Sequence, residues 1–151
     1  MTASTNPNPE ETTKPKSATR FIPVIVRVLM GLAFTAFGLN AFIPFMGQGK
    51  AEMPQAAMDF AGAMMKTGYM FKLVGGTQLV AGLLLLFGLF VPLALILLMP
   101  VLVNIILFHV FLSPAPGAFA PGVVLIVLEL YLAWAYRDYY RSLFIMRAKP
   151  H

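Results

Sequence analysis

No cysteine occurs in the 151 residues, which excludes disulfides, thiolate nucleophiles, cysteine-ligated zinc and iron–sulfur clusters. Any redox role is therefore indirect. Histidine is almost as scarce. Of the two, His151 lies in a polar tail and His109 in an apolar run, so one subunit has no bis-histidine haem site, and an integral cytochrome would need oligomerisation to pair two copies of His109. Charge is scarce as well: 11% of residues are charged and 59% hydrophobic, against about 25% charged in an ordinary soluble domain. A soluble core of this size has no room for so much apolar surface, so composition predicts a membrane protein in contact with the lipid bilayer. Walker, dinucleotide, HExxH and GxSxG motifs are missing, which leaves the common soluble-enzyme chemistries, and an enzyme acting on its own, without support. The net charge of +5 comes mainly from tails beside apolar spans, where topology explains it and nucleic acid is not an expected partner.

Four apolar runs are present: Phe21 to Met46, Tyr69 to Phe90, Pro92 to Leu112 and Pro121 to Tyr140. Each is near the 20 or so residues that a helix needs to cross roughly 30 Å of hydrocarbon. The pattern predicts an all-α fold, an integral membrane four-helix bundle, over residues 20–141. Residues 1–19, rich in Thr, Pro and charge, read as a disordered tail followed by an uncleaved signal anchor, and residues 142–151 as a second, basic tail. Gly88 ends the second helix and Pro92 begins the third, which predicts a tight antiparallel hairpin. In the first outer loop, Ala57, Phe60 and Met64 fall at helical spacing, predicting a short amphipathic helix that either covers the bundle mouth as a lid or tucks its apolar face into lipid. Lys14, Lys16, Arg20, Arg137, Arg141, Arg147 and Lys149 flank the terminal side, against Lys50, Lys66 and Lys72 on the other, so both termini are expected in the cytoplasm.

Glu129 is the leading site candidate. A carboxylate near the middle of a span costs roughly 2.5–3.5 kcal/mol on insertion scales and calls for a partner, a proton or a water-lined cavity. Counted inward from the outer ends, Gln78, Asn104 and Glu129 lie at one depth, roughly 12 Å at 1.5 Å per residue. Asn40 is shallower and His109 lies close to the outer surface. Gln78 shares a face with Gly75 and Gly82, small residues of the kind that let helices approach closely. Arg27, Gly31, Phe34 and Gly38 form one stripe, and Gly122, Ile126, Glu129, Ala133 and Tyr136 another, so that Arg27 and Glu129 are able to meet across the bundle. Plainer roles stand beside these: Arg27 snorkelling to the interface, Gln78 and Asn104 as interhelical glue, and His109 as a structural donor rather than a proton relay. Ten methionines raise a Cu(I) reading, but their spacing does not repeat and adaptable packing accounts for them. No metal site is expected.

Three stretches carry a family likeness: Gly38 to Phe45, Ala81 to Pro92, and Asn104 to Phe111. In order and spacing they resemble the DoxX family of small bacterial membrane proteins, over about Arg20 to Tyr140. The resemblance implies a four-helix bundle in the bacterial inner membrane. The family takes its name from a subunit associated with a terminal quinol oxidase, and relatives are linked to thiosulfate oxidation or oxidative stress. This chain departs from the family pattern at Gln78, where glutamate is common, and near Ala41, where a basic residue or histidine is common.

The combined expectation is a small accessory subunit that binds a quinone-like lipophile or a respiratory redox enzyme. Glu129 and His109 would handle protons, Gln78 and Asn104 would hydrogen-bond a carbonyl, and Asn40 and Arg27 complete the candidate set. A proton-coupled carrier for a small solute, as a homo-oligomer, and a non-catalytic assembly factor are the alternatives.

Overall fold

The computed structural model of the chain describes residues 21–46, 53–114 and 120–144. The expected tail 1–19 and most of 142–151 lie outside them. The described residues form five α-helices, α1 (Ile22–Asn40), α2 (Gln55–Lys66), α3 (Met70–Phe87), α4 (Val91–Phe111) and α5 (Ala120–Ala135), followed by a 3₁₀ helix over Arg137–Phe144. The fold is thus all-α. Helices α1, α3 and α4 are long and apolar enough to cross a membrane by length and composition. Helix α5 is apolar but has only 16 residues.

Two helices stop earlier than the apolar runs suggest. Helix α1 ends at Asn40 rather than Met46 because the Asn40 side chain takes over as acceptor: its Oδ1 receives the Phe45 and Met46 N–H groups at 3.0 and 2.8 Å. The last i→i−4 bond runs from Ile43 N–H to Leu39 O, Pro44 has no N–H to continue the ladder, and the chain bends there with Asn40 as the acceptor. Helix α5 ends at Ala135 rather than Tyr140, and the segment tightens into 3₁₀ turns where Arg137 and Asp138 end the apolar run. The Arg137 guanidinium donates back to Trp134 O at 3.2 Å and sits over the indole ring.

The hairpin between α3 and α4 forms as its residues require. Gly88 is left-handed at φ 70°, and the Leu89 and Gly88 N–H groups bond Leu84 O and Leu85 O, closing a Schellman cap. Phe90 then adopts φ 45°, a conformation no sequence signal announces, and Pro92 sits in the first turn of α4. At the other end, Thr67 Oγ1 accepts from Met70 N–H and donates to Met64 O, joining α2 to α3.

Helix α1 packs most extensively on α3, α3 on α4, α4 on α5, and α1 touches α5. Their shared core includes Met30, Phe34, Ala81, Leu85, Leu95, Leu98, Leu102 and Leu132, and Glu129 on α5 is buried as well. The α1–α3 contact is antiparallel and unusually close. A side chain at Gly38 would strike the Leu79 and Gly75 backbone, one at Gly75 would strike Ala41, and one at Gly82 would come within 2.5 Å of Thr35 N. The outward faces remain apolar, with Leu29, Leu32, Val80, Leu107, Val124 and Val127 exposed.

Candidate functional site

Gln78, Asn104 and Glu129 divide between two of the cavities where the helices meet. The first, of about 440 Å³, lies between α3 and α4. Gln78 from α3 and Asn104 from α4 line it, and Phe60 and Met64 from α2 cover it. Phe60 is anchored by a ring contact of 5.8 Å with Phe108 of α4. Among the described residues neither amide has a hydrogen-bond partner, so both keep their donors and acceptors for an occupant. The helical spacing of Ala57, Phe60 and Met64 is what aims α2: Ala57 is buried, and the other two face the cavity.

The second cavity, of about 410 Å³, lies between α4 and α5, and Glu129 lines it with Leu95, Ile96, Met99, Val103, Ala133 and Tyr140. Glu129 is fully buried at 0% exposure, and neither carboxyl oxygen has a hydrogen-bond partner. Pro100 borders both cavities. As a proline it lacks the N–H that would bond Ile96 O, while α4 continues through it.

The polar residues therefore line two different cavities, one between α3 and α4 and one between α4 and α5. The amide cavity reaches α4 from Pro100 to Ile105 and the carboxyl cavity from Leu95 to Val103. Against antiparallel α4, Glu129 faces the residues before Asn104, toward the end where α3 turns into α4. Gln78 and Asn104 are brought together, and Glu129 is set apart from them.

The remaining candidates have local roles. His109 Nδ1 donates to Ile105 O at 2.7 Å and its ring meets Phe108 edge-on, and it lines neither cavity. Asn40 caps the end of α1. Replacing it by alanine removes two exposed hydrogen bonds, with an expected loss of about 1 kcal/mol, readable as a lower unfolding midpoint with unchanged contents of either cavity. Arg27 does not pair with Glu129. Its guanidinium lies in the space that a side chain at Gly88 would fill, and its Nε is buried without a partner. The residue that sequence reasoning left out of the site is Tyr140. The stripe of Glu129, Ala133 and Tyr136 reaches it in one further step of four, and the 3₁₀ segment brings its hydroxyl to 3.5 Å from Pro92 O.

No group of three or more His, Asp or Glu side chains able to hold a metal occurs among the described residues. No family model matches the chain, and no curated protein or solved structure matches it.

Proposed function

We propose that the chain is an integral membrane four-helix bundle of a bacterial inner membrane, with both tails cytoplasmic. In this reading it is an accessory subunit that holds a quinone-like lipophile in the cavity between Gln78 and Asn104. Membrane insertion is supported by the outward apolar faces: 28% at most of each long apolar window is buried within the chain, and lipid is the solvent that such surface suits. Helix α5 alone is about 24 Å long at 1.5 Å per residue. The aromatic segment after it, with Tyr136 and the 3₁₀ residues Tyr139 and Tyr140, suits the headgroup level where such side chains gather. The bacterial setting and the respiratory context rest on the DoxX resemblance alone.

The observation that carries the binding reading is the pair of unpartnered amides from adjacent helices on one apolar cavity. Its volume falls within the roughly 300–1,000 Å³ of small-molecule sites, which are mostly apolar with a few placed polar groups. Two amide N–H donors on one apolar cavity favour a ligand with carbonyl acceptors, each hydrogen bond adding about 1 kcal/mol. The ring of such a ligand would lie among Phe60, Met64 and Met70. Glu129 and His109 line other surroundings and take no part.

Mass spectrometry of lipids extracted from gently purified protein is expected to find one lipophile retained in a fixed ratio. With about 1 kcal/mol per neutral hydrogen bond, the double variant Gln78→Leu/Asn104→Leu should hold it roughly thirtyfold more weakly. Protein that purifies free of lipophile, or a double variant that retains it equally well, would sink the reading.

A further inference from the structure

The carboxyl cavity is different in kind from the amide cavity. Glu129 is the one buried polar or charged side chain among the described residues, and both its oxygens are unpartnered. The lining beside it is apolar apart from the Tyr140 phenol. Among the described side chains, the surrounding elements bring no cation against it. Helix α4 carries only His109, which is bonded to Ile105 O toward its C-terminal end. Helix α1 carries only Arg27, turned to Gly88, and α3 carries only Lys72, exposed in its first turn. On α5 itself the other ionisable side chain is the phenol of Tyr131, and the segment beyond it carries the phenols of Tyr136, Tyr139 and Tyr140, the Asp138 carboxylate and Arg137, whose guanidinium is held by Trp134 O and the indole ring.

We propose that this cavity binds a lipophilic organic cation, a bulky apolar amine or quaternary ion, with the Glu129 carboxylate as its counter-charge. A lone carboxylate in an apolar wall is costly because nothing replaces its hydration, and a cation brought against it offsets that cost. Small hydrated cations gain little, since they must shed water to enter. A cation clothed in hydrocarbon sheds little water and also fills the apolar volume left by Ile96, Met99, Val103 and Ala133. The carboxyl is fully covered in the unliganded fold, and Met99, unbranched with three rotatable side-chain bonds, is the lining residue best able to swing aside. Binding exchanges the carboxyl proton for the cation, one for one, with no other bond made or broken.

The full chain in detergent micelles is expected to bind tetraphenylphosphonium saturably in equilibrium dialysis. In weakly buffered solution one proton should be released per cation, and the affinity should fall with falling pH by up to about tenfold per unit, as expected for proton competition at one site. Glu129→Gln should abolish the proton release and weaken binding at least tenfold, and Glu129→Asp should keep both. Met99→Trp, which fills the cavity and leaves the carboxyl in place, should weaken binding as well. Absence of saturable binding in the wild-type protein, or equal pH-independent binding by wild type and Glu129→Gln, overturns the proposal.

Discussion

Gly82→Val is expected to separate α1 from α3 and cost the fold about 3 kcal/mol or more, the upper end of what overpacking a tight interior costs. The reason lies in what surrounds the missing side chain. A Cβ at Gly82 would come within 2.5 Å of Thr35 N and 2.9 Å of Phe34 C, backbone atoms inside a helix that cannot move without moving the helix. Nor can the interface yield elsewhere, because Gly38 and Gly75 hold the next turns equally close against Leu79 and Ala41. Gly76→Ala is the matched control. Six residues earlier on the same helix, its new methyl would meet only Phe42 Cζ at 3.7 Å, an ordinary contact. There the helix propensity of alanine over glycine should instead add about 0.5–1 kcal/mol. Denaturant titration of the two purified variants reads both signs. A Gly82→Val protein as stable as wild type would mean that α1 and α3 do not approach as described.

That close approach was legible in the sequence because glycines at spacings of three and four have few other uses on an apolar helix. The hairpin was legible for a similar reason: Gly88 and Pro92 each carry a specific backbone consequence, and the Schellman cap uses the first of them. The short helix α2 followed from Ala57, Phe60 and Met64. What did not follow was anything decided by a side chain reaching across the chain's own backbone. Asn40 ends α1 six residues before the apolar run does, since its amide competes for Phe45 and Met46 N–H, and hydropathy does not register that competition.

The site divides in the same way. The meeting of Gln78 and Asn104 could be anticipated, because both lie at similar distances from the same end of two helices joined by a tight turn. The assignment of Glu129 to a second cavity could not, because which side of α4 the last helix covers depends on a connection between α4 and α5 whose length alone does not fix it. Arg27 and Glu129 share a plausible stripe geometry, yet Gly88 leaves a hollow at the α3–α4 turn that accepts the guanidinium first. A residue with no side chain thus decided where a distant cation went, which no pairwise charge argument foresees.

Glu129→Leu is expected to raise stability by about 2 kcal/mol, against the usual direction for a core substitution. Leucine has nearly the volume of glutamate, and its neighbours are already apolar: Leu95, Ile96, Met99 and Val103. The exchange therefore adds no cavity and removes two oxygens without partners. The cost of burying an unmet polar group, about 1–3 kcal/mol, is recovered, as happens when buried ionic groups are replaced by hydrocarbon of matching shape. Glu129→Gln should show much less of this gain, because its amide stays as short of partners as the carboxyl. A less stable Leu variant would mean that the carboxyl is satisfied in the folded protein by something the chain does not itself supply. Ligand addition separates the two contributions. Anything that binds only the folded state stabilises it in proportion to the logarithm of its concentration over its dissociation constant. Tetraphenylphosphonium should therefore raise the unfolding midpoint of the wild-type protein and leave that of the Leu variant unmoved. A natural sequence that keeps an acid where leucine is more stable keeps it for a cost borne in the empty state, and the cation-dependent shift measures how much of that cost the occupied state returns.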